Sequence, residues 1–321
     1  MSEVYPIQFR EQQRFGVPEG VSADNVWINK LIYGDNLKVL QKLIGLKQAG
    51  LLKNGDGSDG VRLIYIDPPF ATGKKFESLK TKHKAYQDKL TGKDYLEWFR
   101  KRLVLLKDLL AEDGSIYVHL DYRKSHYVKV LMDEIFDENN FVNEIIWHYY
   151  SGGGSKKQFS KKHDTILLYQ KSNKRTFNLQ YEKKYVLGKK VGIEKLKKAD
   201  REWLEDENGV YTHILMRDTW YIPIINPLNK QERVNYPTQK PEALLERVIK
   251  ASSNEGDIVL DCFGGSGTTA AVAEKLKRRW ISCDIGELSI KTQQKRLLNL
   301  KDNETKTSIE AAPFILYNLN F

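Results

Sequence analysis

At 321 residues and 40% hydrophobic content, the chain can bury a sizeable core in one large domain or two smaller ones. No apolar run approaches the roughly 18 residues of a membrane helix, and MSEVYPIQFREQQRF at the N-terminus lacks the apolar core of a secretory signal. Cys262 and Cys283 make neither a disulfide framework nor a metal-ligand set, so a reduced, cytoplasmic, metal-free protein is expected. The net charge of +10 is concentrated: Gly152–Asp200 carries 14 Lys or Arg against 4 Asp or Glu, which leaves the remainder balanced.

In chain order, KLIYGDNLKVLQKL reads as a strand through Tyr33, a turn at Gly34-Asp35, and a helix with Leu37, Leu40 and Ile44 inward. After a Gly/Asp-rich loop, VRLIYIDPPF is a buried strand stopped by Pro68 and Pro69, which fix φ and donate no N–H. The next helix turns Tyr95, Phe99, Leu103, Leu106 and Leu110 inward, and Gly114 separates it from a strand at Ser115–Leu120. NEIIWHYY and DTILLYQ are two more strands. SGGGS at Ser151–Ser155 is a flexible hinge that opens the basic segment, whose periodicity is poor as far as about Asn235. A helix from near Pro241 buries Leu244, Leu245, Val248 and Ile249. Strand Ile258–Leu260, a glycine turn, an Ala-rich helix, the strand RRWISCD and a final strand PFILYNL follow. Strands alternating with helices predict an α/β fold with a mostly parallel sheet, interrupted by the basic insertion.

Two stretches carry chemistry. Asp67, the Pro68 carbonyl and the Phe70 ring stand at a strand's C-terminal edge, where open α/β sheets bind ligands. In DCFGGSGTT, Gly264, Gly265 and Gly267 let a ligand approach the backbone at a helix N-terminus, and Asp284, at the end of the following strand, suits a ribose. Gly265, Gly267 and Ala270 also satisfy G-x-G-x-x-G/A, which keeps a nicotinamide-dependent dehydrogenase as a rival. Asp261, directly before the turn, would repel a pyrophosphate and suits a cation; its plainer reading is a turn cap. The plainer reading of Phe70 is loop packing, and that of Trp147 and Tyr149 is core. The lysines of the basic segment, interleaved with Phe159, Tyr169 and Tyr181, suit phosphate neutralisation with base stacking, or else a solvated face.

Together, DPPF (Asp67–Phe70), DCFGGSGTT (Asp261–Thr269), TQKP (Thr238–Pro241) and YGDN (Tyr33–Asn36) resemble the motifs of DNA amino-methyltransferases, in the permuted beta-class order of modification enzymes from restriction systems. The resemblance implies a seven-strand, Rossmann-like mixed sheet that uses S-adenosylmethionine. It implies a catalytic half at 1–150 and a cofactor-binding half at 231–321 around a basic target-recognition insertion at 151–230. Catalysis would fall to Asp67, Pro68, Pro69 and Phe70. The cofactor would be held by Asp35, Thr238, Lys240, Asp261, Phe263, Gly264, Gly265, Ser266, Gly267, Thr268 and Asp284. Lys74, Lys75, Lys156, Lys157, Lys161 and Lys162 would meet DNA. Duplex DNA is the implied partner, with a restriction subunit or a second copy of the chain as further ones. An extruded adenine is the implied target, since Asp leads the catalytic motif where cytosine enzymes typically carry Ser; N4 of cytosine is the alternative, with RNA or protein substrates more remote. The chain departs from the family pattern at Cys262, where Pro is usual, and at Phe70, where Tyr is also common.

Overall fold

The computed structural model describes residues 9–23, 26–70, 92–149, 154–186, 202–226, 232–302 and 305–319, with the backbone alone of 75–77 and 84–87. The first half holds β1 (Arg10–Phe15), β2 (Asn29–Tyr33), α1 (Asn36–Gln48), β3 (Val61–Ile66), the pair β4 (Lys75–Glu77) and β5 (Lys84–Gln87), α2 (Gly92–Leu109), β6 (Leu110–Leu120), α3 (Ser125–Phe136) and β7 (Phe141–His148). Then come β8 (His163–Gln170), β9 (Tyr181–Tyr185), β10 (Leu204–Asp206), β11 (Gly209–Leu215) and β12 (Thr219–Tyr221). The chain closes with α4 (Glu242–Ser252), β13 (Ile258–Asp261), α5 (Thr268–Lys275), β14 (Arg279–Asp284), α6 (Glu287–Leu297) and β15 (Phe314–Asn318).

Ten strands form one sheet, ordered β1-β15-β2-β14-β13-β3-β6-β8-β7-β12. The expected seven strands are its centre, β2 to β7. All run parallel except β8, which is antiparallel to both its neighbours. β15 and β12 extend this centre in parallel, and β1 adds an antiparallel edge. Helices cover both faces. One core gathers Val39 and Leu40 of α1, Phe99 and Leu103 of α2 and Val128 of α3 under Ile64 and Ile66. The other gathers Leu244 and Val248 of α4, Ala271 of α5 and Leu297 of α6 under Leu63 and Tyr65. Because β3 is covered on both sides, all six of its residues are buried, which is why it reads as an apolar run from Leu63 to Ile66 after Arg62 at its base.

Some expectations shift in detail. Helix α1 buries Val39, Leu40 and Leu43, with Leu37 and Ile44 only half-buried. Its start is fixed by Asp35, whose side chain caps Leu37 N–H at 2.9 Å, and that sets the face presented to the sheet. Strand β6 begins at Leu110, but its register against β3 jumps before Ser115, so the regular pairing is the expected Ser115–Leu120. Gly114 sits in that bulge, where a Cβ would lie 2.8 Å from the Val61 carbonyl oxygen. Strand β8 falls within the expected insertion at 151–230 yet lies in the main sheet between β6 and β7. The later part of the insertion carries a small sheet, β10-β11-β9.

At the N-terminal edge of β3, Arg62 is buried and ion-paired to Asp56 at 2.6 Å, to Asp257 at 3.2 Å and to Asp113. Removing a partner from a buried charge of this kind is costly, so the anchor holds β3 in place from below. No helix among the described residues is long and apolar enough to cross a membrane.

Candidate active site

The connections reverse between β13 and β3: β13 leads through α5 to β14 on one side, and β3 leads through α2 to β6 on the other. Such a switch point leaves a crevice beyond the C-terminal strand ends, the usual ligand site of an open α/β sheet. A cavity of about 310 Å³ lies there, and Asp67 and Asp261, from the ends of the two strands, both face it. Pro68, Pro69, Phe70, Asp35, Thr238, Lys240, Phe263, Gly264, Gly265, Ser266, Thr268 and Asp284 complete the expected residues that line it. Gly267 does not. It adopts φ 74° before α5, and a Cβ there would come within 2.8 Å of Gln293 Cγ, so its place is in the turn.

The glycine turn is held by its two acids. Asp261 accepts from Phe263 N–H at 2.9 Å and from the Thr269 hydroxyl at 2.6 Å, so it caps the turn as well as facing the cavity. Burial, with Asp67 and Asp284 nearby, pushes its pKa up to about 7 against those two hydrogen bonds. Asp284 accepts from Gly265 N–H at 2.8 Å and Gly286 N–H at 2.7 Å, and burial raises its pKa too. Gly264 is required by packing: a Cβ would fall 2.5 Å from both Gln293 Nε2 and Ser282 Oγ, which belong to a hydrogen-bonded pair. Gly264→Ala should therefore cost about 1–3 kcal/mol, an overpacking penalty that urea unfolding would register.

At the other corner, Lys240 donates to Asp67 Oδ2 at 2.5 Å, and its ammonium lies 5.7 Å from the centre of the Phe70 ring. Asp67 Oδ1 is buried without a hydrogen-bond partner among the described residues. The resemblance assigns Lys240 to the cofactor; the structure pairs it with the catalytic-motif carboxylate inside the same cavity. Lys240 arrives there from a turn in which Thr238, a β-branched residue, adopts φ 60°, an uncommon conformation that the surrounding packing must enforce.

Several lining residues escape sequence reading. Trp98 of α2 faces the cavity 5.9 Å from Phe263, and the Arg102 guanidinium stacks 4.1 Å from its ring centre. Arg102 donates to Asn36 Oδ1 at 2.6 Å and Asp35 Oδ2 at 3.4 Å, while Asn36 donates to the Cys262 carbonyl at 3.0 Å. These contacts tie α1, α2 and the glycine turn together. One signal was available: Arg102 falls seven residues after Tyr95, on the buried face of α2, where an arginine needs partners. Trp147 proves to be core, with its indole N–H on the Ile222 carbonyl at 2.7 Å. Tyr149 is half-buried.

Lys156, Lys157 and Lys161 are exposed and Lys162 is partly so, all outside the cavity. Strand β7 ends and β8 begins at the same sheet edge as Asp67, which puts the segment carrying them on the cavity side. The Lys161 ammonium sits 3.9 Å from the centre of the Tyr122 ring, just past the end of β6. Lys74 and the side chain of Lys75 lie outside the described residues.

A crevice of this kind places the protein among the doubly wound α/β enzymes that bind nucleoside cofactors. Comparison with known proteins narrows the class: residues 61–295 match the N6/N4 family model described as DNA methylase, and the chain belongs to that family. Similar proteins include Type II methyltransferase M.EcaI of Enterobacter cloacae, 31% identical over 84% of this chain and 69% of that one. DNA adenine methyltransferase YhdJ of Escherichia coli K12 is 31% identical over 83% of this chain and 82% of its own. Among solved structures, the cytosine-N4-specific PvuII DNA methyltransferase shares the fold at a TM-score of 0.56, with 20% identity over 86% of this chain and 88% of that one. A DNA modification methylase of Thermus thermophilus, solved with S-adenosyl-L-methionine and named as putative, does so at 0.50, with 18% identity over 91% and 98%.

Proposed function

We propose that this DNA methyltransferase moves a methyl group from S-adenosylmethionine to the N6 amine of adenine in duplex DNA, with the base extruded from the stack. The observation that carries the reading is the meeting of Asp67 and the glycine turn of Asp261 in one cavity. At about 310 Å³ it is of the size that holds a small ligand. A buried acid whose pKa stands near 7 is also a site that a cation would stabilise.

The cofactor supplies an electrophilic sulfonium methyl. Asp35, Asp284, Phe263 and the backbone of Gly264–Thr268 would hold it, with Asp261 as the nearby anion. An exocyclic amine is a weak nucleophile because its lone pair is delocalised into the ring. Asp67 Oδ1, buried and unpartnered, is the atom left to accept one amine hydrogen, and the Pro68 carbonyl would take the other. Lys240 on Oδ2 fixes which oxygen faces the base. Acceptors placed in advance stabilise the charge that grows on nitrogen during transfer. Extrusion costs a few kcal/mol, and stacking on Phe70 could return roughly 1–3 kcal/mol of it. The lysines at 156–162, on the cavity edge of the sheet, would meet the phosphates.

Adenine is favoured by Asp67 at the head of the motif and by the likeness to an enzyme named as adenine-specific. A restriction subunit is a candidate partner, since the Mod subunit of a probable type III restriction-modification enzyme HindVI from Haemophilus influenzae is 28% identical over 83% of this chain. Nucleoside mass spectrometry of unmethylated DNA incubated with the protein and S-adenosylmethionine should detect N6-methyladenine. N4-methylcytosine in its place would overturn the choice of base, and the absence of both would overturn the activity.

A further inference from the structure

A row of polar side chains leaves the cavity across four adjacent strands, and the chemistry above does not use it. Tyr65 of β3 lines the cavity. Its hydroxyl lies 2.7 Å from His119 Nδ1 on β6. His119 Nε2 lies 3.2 Å from Asp164 Oδ2 on β8, and Asp164 Oδ1 accepts from the Tyr149 hydroxyl, just beyond β7, at 3.3 Å. All four side chains stand on the sheet face that carries Trp147, Ile166 and Leu168. His119 is 0% exposed, and the Trp147 ring packs edge-on against it at 5.3 Å.

The proton positions in this row follow from its ends. Burial works against the charge of Asp164, but the hydrogen bond from His119, the positive charges that a protonated His119 and Lys240 supply, and the hydrogen bond from Tyr149 bring its pKa below the ordinary carboxylate value. An ionised Asp164 only accepts, so His119 Nε2 carries a hydrogen. In a neutral imidazole Nδ1 is then an acceptor, and the Tyr65 hydroxyl donates to it. The remaining lone pair of Tyr65 Oη is left without that hydrogen. Burial, with Asp67, Asp261 and Asp164 around it, pushes the Tyr65 pKa well up and keeps the hydroxyl neutral. Besides these acids, the charged and titratable groups facing the row are Lys240 and, beside Tyr149, Asp121.

We propose that Tyr65, His119 and Asp164 form the outlet for the proton that methylation of an exocyclic amine must release, an inference resting on the activity proposed above. The methylated nitrogen carries a positive charge until an N–H bond breaks. Its electron pair then stays on nitrogen and rejoins the ring. Asp67 Oδ1, which holds that hydrogen, hands the proton on to the neighbouring Tyr65 Oη while the Tyr65 proton passes to His119 Nδ1, and the imidazolium formed is held by the Asp164 carboxylate. The imidazolium then gives its Nε2 hydrogen to Asp164, from which a proton leaves by way of Tyr149 at the half-buried end beside the basic segment, and the row resets when tautomerisation returns the hydrogen left on Nδ1 to Nε2. Asp67 acts on the substrate; Tyr65, His119 and Asp164 are positioning and relay residues.

The test begins with imidazole nitrogen NMR of the full chain without substrate, with the His119 signal assigned from the spectrum of His119→Gln. The expected tautomer has its hydrogen on Nε2; hydrogen on Nδ1 overturns the row. Next, Tyr65→Phe and His119→Gln are compared with wild type on a DNA fragment that wild type methylates. Both variants should lose about tenfold or more in kcat, with KM for DNA and cofactor affinity unchanged. In single turnovers followed with a pH indicator, the solvent proton should appear together with the methyl group in wild type and lag behind it in the variants. An unchanged kcat, or a proton still in step with the methyl group, overturns the relay; a purely structural role would lower melting temperature and binding without separating the two signals. Should Tyr65→Phe fail to fold, the wild-type tautomer still decides; should His119→Gln fail, the His119 signal is assigned by replacing the other five histidines one at a time. Failure of wild type to methylate DNA at all would instead refute the underlying activity.

Discussion

Asp67→Ala should slow methyl transfer by on the order of 10³-fold while leaving the affinity for S-adenosylmethionine little changed, as a loss confined to transition-state stabilisation requires. The reason is positional. Asp67 offers the one buried, unpartnered carboxylate oxygen among the described residues at the corner where the amine must be held, and its other oxygen is occupied by Lys240. The glycine turn lies on a different strand, and its hydrogen bonds to Asp261 and Asp284 involve neither Asp67 nor Lys240. Single-turnover methylation and isothermal titration of the cofactor separate the two effects. A variant that no longer binds the cofactor would show that the two corners have been given each other's roles.

Asp261→Asn should produce opposite effects on stability and on binding. The pKa of Asp261 is about 7, against an ordinary 3.8, so the fold keeps a proton that the unfolded chain releases. The sign follows: this group costs nothing below pH 3.8, destabilises progressively as pH rises towards 7, and levels off above, at a penalty of roughly 4 kcal/mol. Asparagine carries no charge and can still accept from Phe263 N–H. The variant should therefore melt above wild type at pH 8 and lose that advantage at pH 4. Cofactor binding should move the other way. A cation favours the ionised form, so wild-type affinity should climb by up to about tenfold per pH unit below 7 and then flatten. The variant should bind more weakly with a flat profile. Calorimetric titrations between pH 5 and 8 test this, and equal pH profiles for the two proteins would refute the assignment.

Much of the sheet was legible because β3, β13 and β14 are buried on both faces and read as apolar runs ending in a carboxylate. The edges were not. Strand β1, REQQRF, is mostly exposed and shows no apolar alternation, and β12 has three residues, so neither exists without its neighbour's hydrogen bonds. The small sheet β10-β11-β9 is solvated over most of its surface, which leaves a polar sequence without the period of a strand. The two corners of the site were legible as motifs because each is local in sequence. What joins them is not: Lys240 meets Asp67 across 173 residues, and Arg102 reaches Asn36 across 66. Pairings of that range depend on which strands become neighbours, and one sequence does not encode them as a pattern. Tyr65 and His119 look like ordinary strand residues until β3 and β6 are placed side by side.

Strand β3 is fastened at its base by Arg62 and reaches the cavity at its tip, and the two ends share no side-chain partner among the described residues. Wear and invention are thereby kept apart. Drift in target preference along the upper rim need not loosen the foundation, while damage to the basal guanidinium would threaten the whole scaffold whichever base it serves. A lineage built this way can retune what it marks without relearning how to fold.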